Sequence, residues 1–209
     1  MTEATPATPP YGPVQTALRF ALAWCLFVPV AVLVLVAALV LLPWRGARVR
    51  VSCRAMNFVC PWLFAALGLK VELPTRAEME RLAPAIFAIN HTSSIDTMAT
   101  TAVLPGATCG IAKKEALWIP FFGQAYWLSG HLLLDRRNPE RARASLGRLA
   151  EVLKRHGMGV VIGPEGTRSR DGRLHPFKKG FVHIALATGL PVVPLLIEGA
   201  HIAWPARSM

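Results

Sequence analysis

Acidic residues are scarce in this chain: 12 Asp and Glu stand against 23 Lys and Arg in 209 residues, a formal net charge of +11. That imbalance points to anionic partners: nucleic acid, an anionic bilayer surface or phosphorylated small molecules. Charge is missing altogether from Phe20 to Pro43. A nucleic-acid binder has no need of so long an apolar run, so membrane and phosphate come ahead of nucleic acid. The four cysteines, Cys25, Cys53, Cys60 and Cys109, are scattered and form no Cys-x-x-Cys pair. Their spacing indicates neither a zinc site nor a disulfide framework and fits a reducing compartment. No Walker loop is present, which argues against nucleotide hydrolysis, and no Gly-x-Ser-x-Gly elbow presents a serine nucleophile. No internal repeat is present.

What the chain does have is apolar surface, with 53% hydrophobic residues, more than a typical soluble domain carries. Its length suits one domain with an appendage. Residues 1–13 are rich in Thr, Pro and Ala and read as a disordered tail. The run Phe20–Pro43 exceeds the roughly 20 residues that cross a hydrocarbon core. It is too long for a cleavable signal peptide, and Trp44-Arg45 makes a poor cleavage site. Pro29 inside it is a kink that membrane helices tolerate. Arg45, Arg48, Arg50 and Arg54 follow, against Arg19 alone before it. The positive-inside rule then places the body of the protein in the cytoplasm, and the same arginines suit anionic headgroups. A second apolar segment, Phe58–Leu69, holds Pro61 and Gly68 and is too short to span. An interfacial helix, the return arm of a hairpin dipping into one leaflet, and a buried helix of the body all fit it. Residues 14–72 are thus the expected membrane-anchoring region and 73–209 the globular domain.

From Ala85 the pattern alternates. Strand-like runs occupy Ala85–Asn90, Cys109–Ala112, His131–Asp135, Met158–Gly163 and Val192–Ile197. Between them the clearest helix opens with Asn138 as cap, Pro139 first and Glu140 in its first turn, and ends at Gly157. Leu146, Leu149, Val152 and Leu153 follow its apolar face. Another helix runs from about Lys179 to Thr188 and stops at Gly189. Alternating strand and helix predicts an α/β fold with a largely parallel central sheet flanked by helices, preceded by a membrane helix or helical hairpin.

Open α/β sheets keep their reactive groups at the carboxyl ends of the strands. The first candidate there is Asn90-His91-Thr92-Ser93-Ser94-Ile95-Asp96. Asp96 is placed to accept from one ring nitrogen of His91, fixing the tautomer and leaving the other as a general base. Structurally, Ser93 and Asp96 also resemble a capping box. Ser93 or Ser94 as a nucleophile beside His91 is disfavoured by their crowding on one turn, and a metal on His91 and Asp96 lacks a third ligand by spacing. The second candidate is Gly163-Pro164-Glu165-Gly166-Thr167-Arg168-Ser169-Arg170. Gly166 permits close backbone approach, Thr167 and Ser169 offer hydroxyls, and Arg168 offers a fork for phosphate oxygens. The bland alternative is a solvated basic turn ending at Asp171-Gly172. Leu134-Asp135-Arg136-Arg137 adds two arginines past a strand. Lys113-Lys114-Glu115, followed by Trp118-Ile119-Pro120-Phe121-Phe122-Gly123, suits a membrane interface or an acyl-channel wall, or a loop packed by its aromatics.

In this order the pieces resemble the lysophosphatidate acyltransferase (glycerolipid acyltransferase) family. The resemblance rests on Asn90-His91 through Asp96, Ala112-Lys113-Lys114-Glu115, Leu133-Leu134-Asp135-Arg136, Pro164-Glu165-Gly166-Thr167-Arg168-Ser169 and Leu190-Pro191-Val192-Val193-Pro194. It covers residues 85–200. It implies the glycerolipid acyltransferase fold and transfer of an acyl chain from acyl-CoA or acyl-ACP to the hydroxyl of 1-acylglycerol 3-phosphate. On it His91 takes the hydroxyl proton and Asp96 orients His91. Arg136 and Arg168 bind the substrate phosphate, while Glu165, Gly166 and Thr167 shape the acceptor site. The implied partners are the lysophospholipid, the acyl thioester, membrane lipids and acyl carrier protein as an alternative donor, with no metal, no cofactor beyond the co-substrate and no nucleic acid. The implied location is a bacterial inner membrane, catalytic domain on the cytoplasmic face. Another lysolipid acceptor, such as a lyso-ornithine lipid, and a non-catalytic anchor that binds anionic lipid are the alternatives. Two positions depart from the family pattern. His-Thr-Ser-Ser-Ile-Asp lacks the usual aromatic before the apolar neighbour of Asp96, and Gly163-Pro164 stands for Phe-Pro; both are expected to tune substrate choice. Met209 comes soon after the last block, so a short member or a missing C-terminal segment is expected.

Overall fold

The computed structural model describes residues 11–135, 137–169 and 173–203. Five strands form one sheet in the order β3-β2-β4-β1-β5. They are β1 (Ile86–Ile89), β2 (Thr108–Lys113), β3 (Leu132–Leu134), β4 (Gly159–Ile162) and β5 (Val192–Leu195). Every pairing is parallel, with β1 held between β4 (Ile86↔Val160) and β5 (Ile86↔Val192). A strand buried on both faces reads as a continuous apolar run, and Ile86-Phe87-Ala88-Ile89 is one. Ile86 packs with Leu149 and Leu153 of α6 (Pro139–His156) and Ile184 of α7 (Gly180–Thr188). Phe87 points the other way, clustering with Met79 of α3 (Arg76–Arg81) and Leu104 at the end of α4 (Ile95–Val103). Helices therefore cover both faces, as the alternation of strand and helix predicts. Truncating the fully buried Phe87 to alanine is expected to cost about 3–5 kcal/mol.

The long helix α6 forms where its end signals lie. Asn138 Oδ1 accepts from the Arg141 amide at 3.0 Å, and Gly157 closes the helix in the left-handed region at φ 59°. Because all five strands run the same way, their carboxyl ends open on one edge of the sheet. Asn90, Lys114, Asp135, Gly163 and Leu196 leave from that edge.

The N-terminal part is a helical hairpin. The first arm, α1 (Pro13–Val40), runs unbroken through Pro29, and the second, α2 (Arg45–Leu67), returns beside it. Ala23 of α1 packs with Val59, Leu63 and Ala66 of α2, and Arg19 Nη1 donates to the Ala66 carbonyl at 3.2 Å. Pro13 opens α1, so the expected tail ends sooner than residue 13; residues 1–10 lie outside the described ones. Leu18, Leu22, Leu33, Val36, Leu39 and Val40 remain more than half exposed on α1. By length and composition α1 is able to cross a membrane.

The second arm departs from the sequence expectation. It begins at Arg45, well before the apolar segment Phe58–Leu69, because its basic half buries Val49, Ser52 and Cys53 against the body while its long side chains reach outward. Arg45 Nε donates to the Gly130 carbonyl at 2.8 Å, and Arg48 donates to the Leu128 carbonyl. Leu128 is the last residue of α5 (Phe122–Leu128), so two of the arginines expected at headgroups instead satisfy carbonyls at a helix end. Farther along, Cys60 and Phe64 pack against Ile95 and Ala99 of α4. The segment is thus a packed helix of the body and the partner of α1 at once.

His131 ties these parts together. Its Nδ1 accepts from the Gly110 amide at 3.0 Å, which leaves the proton on Nε2, 2.9 Å from Ser52 Oγ on α2. Ser52 Oγ donates onward to the Val49 carbonyl at 2.9 Å, and the imidazole stacks on Tyr126 of α5 at 4.5 Å between centroids. Burial, helped by the Arg45 charge, pushes the His131 pKa down to about 4.

Candidate active site

The turn after β1 is built around one carboxylate. Asp96, in the first turn of α4, is fully buried, and its Oδ2 accepts from the amides of Thr92 at 2.6 Å and Ser93 at 2.7 Å. His91 Nδ1 donates to the same oxygen at 3.0 Å. Hydrogen bonds to a charged acceptor contribute about 1.5–3 kcal/mol each, so the turn and the imidazole share one anchor. Asp96 Oδ1 is buried with no partner among the described residues. Half of the capping box forms: Asp96 takes the Ser93 amide, while Ser93 Oγ accepts from the Ile95 amide at 3.3 Å, and Ser94, at the N-cap position of α4, makes no side-chain cap. The aspartate thus holds the turn that precedes its helix by two amides. With Nδ1–H committed to Asp96, Nε2 of His91 is the basic nitrogen, and the side chain is 26% exposed.

The turn after β4 lies beside it because β1 and β4 pair in register, Ala88 opposite Ile162. Its peptide chain is folded onto the first turn by the Ser169 amide, which donates to the His91 carbonyl at 2.7 Å. The Gly166 amide donates to the Gly163 carbonyl at 3.0 Å, closing the bend, and Gly166 takes φ 73°, a conformation that side chains resist. A Cβ there would also stand 2.8 Å from Lys178 Cδ. Lys178 thus lies across Gly166 and brings an ammonium to the site that sequence reasoning gave no role. Arg168, exposed, donates from Nη1 to Ser94 Oγ at 2.6 Å. Ser94 is engaged by Arg168 and Ser93 is fully buried, which leaves the serine-nucleophile alternative without geometric support.

Glu165 is 2% exposed, and neither of its carboxylate oxygens has a partner among the described residues. Burial raises its pKa above the ordinary carboxylate range, against a weaker pull from the His91 and His175 amides, which face it outside hydrogen-bond geometry, and from the charges of both imidazoles. Thr167 is exposed at the rim. Of the remaining sequence candidates, Arg136 lies outside the described residues, as do Arg170 and Asp171-Gly172. Arg137 turns away to Glu115, at 3.7 Å. Lys114 pairs with Asp135 at 2.7 Å across the ends of β2 and β3, which lowers the Asp135 pKa.

Asn90 is the residue whose part the sequence did not disclose. Its Nδ2 donates to the Ile197 carbonyl at 2.8 Å, and its Oδ1 accepts from the Ile197 amide at 2.7 Å. The partner is distant in the chain, so no local pattern signals it. A cavity of about 350 Å³ between α2, β3 and α6, lined by Arg45, Leu132, Arg148 and Val152, lies away from His91. The histidine itself is half-buried. Among the described residues no three His, Cys, Asp or Glu side chains gather as a metal site.

Fold and site define a parallel α/β protein whose histidine–carboxylate pair stands at the carboxyl edge of the sheet, flanked by Arg168 and Lys178. The chain belongs to the acyltransferase family: the profile described as Acyltransferase matches residues 70–198. It is 41% identical over 171 residues to a 1-acyl-sn-glycerol-3-phosphate acyltransferase of Cocos nucifera, covering 82% of this chain and 55% of that protein. The enzyme so named from Escherichia coli (strain K12) is 39% identical over 131 residues, 63% of this chain and 54% of the relative. This chain thus spans little more than half the length of either. The crystal structure of the 1-acyl-sn-glycerophosphate acyltransferase from Thermotoga maritima superposes with a TM-score of 0.70 at 25% identity, over 93% of this chain and 78% of the other.

Proposed function

We propose that the protein is a membrane-bound O-acyltransferase that moves an acyl chain from an acyl thioester to the free hydroxyl of 1-acylglycerol 3-phosphate, yielding phosphatidate. The observation that carries the reading is the His91–Asp96 hydrogen bond of 3.0 Å, which leaves His91 Nε2 as the basic nitrogen of a part-exposed ring. His91 Nε2 takes the proton of the acceptor hydroxyl as its oxygen attacks the thioester carbonyl. The new C–O bond forms, the C–S bond breaks, and the imidazolium returns its proton to the departing thiolate. No acyl-enzyme is required. Asp96 holds the ring and stabilises its cation, as a buried carboxylate does in other histidine dyads.

Arg168 and Lys178 supply positive charge for the acceptor phosphate; Arg136 belongs to the same role through the family resemblance. Buried Glu165, with Gly166 and Thr167, shapes the acceptor's seat beside the histidine. The donor in this reading is an acyl thioester, either acyl-CoA or acyl-ACP. The exposed apolar length of α1 and the arginines that follow it support a membrane location with the catalytic domain on the cytoplasmic side of a bacterial inner membrane.

The test uses membranes bearing the full chain, labelled acyl-CoA or acyl-ACP, and a panel of lysolipids, with His91→Ala alongside. Labelled phosphatidate from wild type and none from the variant is the expected result. Product on another lysolipid alone would move the acceptor. Folded protein that transfers to no acceptor from either donor would overturn the enzyme reading.

A further inference from the structure

The strand β3 is an edge of the sheet, and β2 and β4 stand between it and the strand that leads to His91. Beside that edge lies the cavity of about 350 Å³ between α2, β3 and α6. Its lining is apolar at Leu132, Leu149 and Val152, and it carries three guanidinium groups, those of Arg45, Arg148 and Arg155. Arg148 and Arg155 are two helical turns apart on α6 and so share one face. Ser145 and Val152 repeat that spacing and line the same cavity. Arg45 comes from the other wall, at the start of α2, where its Nε bond to the Gly130 carbonyl holds the guanidinium in place.

These cations are poorly compensated. Among the described residues no ion pair takes Arg45, Arg148 or Arg155. Arg148 Nη2 donates to Ser145 Oγ at 3.2 Å, a neutral partner. Glu151 is the one carboxylate in the lining, against three arginines. Positive charge continues along the junction of the two helices. A Cβ on Gly46, the second residue of α2, would lie 3.3 Å from both Arg50 Nη2 and His156 Nδ1. Like charges gathered in this way repel one another, and an anion entering among them relieves the repulsion.

We propose that this cavity is a second anion site, one that binds a small phosphomonoester apart from the chemistry at His91. Three guanidinium forks offer more donors than the two oxygens of a carboxylate can accept, whereas a phosphomonoester brings three oxygens and up to two negative charges. The planar forks match phosphate geometry. The organic part of the ester rests on Leu132, Leu149 and Val152. The volume lies within the range of small-molecule pockets, about 300–1,000 Å³. None of these residues serves the acceptor phosphate, whose cations Arg168 and Lys178 follow β4. A bound ester bridges α2 of the N-terminal hairpin to α6 of the α/β body, so occupancy ties the two parts together.

The test measures binding alone, so its result is independent of turnover at His91. Full-length Arg168→Gln, which disables the acceptor site, is titrated by calorimetry with glycerol 3-phosphate in neutral detergent micelles. Saturable binding is expected to remain. Adding Arg148→Gln and Arg155→Gln is expected to weaken it by at least about tenfold. Adding Arg143→Gln and Lys154→Gln instead removes equal charge from α6 outside the cavity lining and is expected to leave affinity unchanged. Absence of binding, indifference to the cavity pair, or equal weakening by both pairs overturns the proposal. Arg148 and Arg155 are exposed, so folded variants are expected, with circular dichroism as the check. If the pair does not fold, Arg155→Lys, which keeps the charge and loses the fork, must weaken binding; undiminished affinity overturns the proposal. Micelles doped with phosphatidate or phosphatidylcholine identify the source. Displacement of the ester by phosphatidate alone assigns a lipid headgroup to the cavity, and an unchanged isotherm assigns it a soluble ester.

Discussion

Asn90 and Ile197, 107 residues apart, exchange two hydrogen bonds, so the Asn90 side chain continues the β1–β5 ladder beyond Ile89 and Leu195. The carboxyl edge is thereby closed at the residue before His91. Removing both bonds in Asn90→Ala is expected to cost about 1–3 kcal/mol and to lower turnover by loosening His91. Denaturant midpoints in detergent micelles report the first effect. A midpoint equal to wild type would show that the pair carries no stability.

His91 and Asp96 are expected to separate in what they do. His91→Ala removes the base and should reduce turnover by about 10²–10⁴-fold, while costing only the one hydrogen bond to Asp96, about 1.5–3 kcal/mol. Asp96→Asn strikes both, because Oδ2 anchors two amides as well as the imidazole. It should lower turnover and cost about 2–4 kcal/mol of stability. A stable, inactive Asp96→Asn would mean that the carboxylate serves the histidine alone.

Glu165 gives a sign that is the reverse of most carboxylates. Its folded pKa is raised by burial, so the folded state holds its proton more tightly than the unfolded state does. Stability from this group is present at low pH and falls as pH climbs from the unfolded pKa through the folded one. Glu165→Gln should therefore be no less stable than wild type at pH 8, while losing activity if the charge seats the acceptor. A destabilised glutamine variant at that pH would contradict the burial argument.

His131 predicts an acid-side loss. Its pKa falls from 6.5 to about 4 on folding, so the unfolded chain binds the extra proton between those values. The stability tied to the neutral ring is full above pH 6.5 and declines as pH drops toward 4, by about 2 kcal/mol at pH 5. Melting of wild type at pH 5 and 7.5, compared with His131→Gln, measures it. A variant that keeps the wild-type pH slope would remove His131 from the account.

The sequence alone carried the fold class and the pairing of His91 with Asp96, for reasons that are local. Ile86–Ile89 reads as a doubly buried strand from its unbroken apolar run. Asn138 and Gly157 bracket α6 because caps act within one turn of chain. His91 and Asp96 lie close enough in sequence that one turn joins them. Tertiary structure decided the rest. Arg45 and Arg48 looked like headgroup ligands until the carbonyls of Gly130 and Leu128 came within reach of α2. Ser93 and Asp96 spell a capping box, and its carboxylate half forms at the Ser93 amide, but the same oxygen also takes the Thr92 amide and the His91 ring, which the sequence pattern did not specify. Lys178 reaches the site by folding over Gly166, Asn90 through Ile197, and His131 becomes a hub through Ser52 and Gly110. Lys178 shares its loop with Gly166, but Ile197, Ser52 and Gly110 are each separated by a strand or a helix from the residue they meet. Periodicity and capping are set by neighbours along the chain, whereas a hydrogen bond between distant segments exists only once the sheet has brought them within three ångströms.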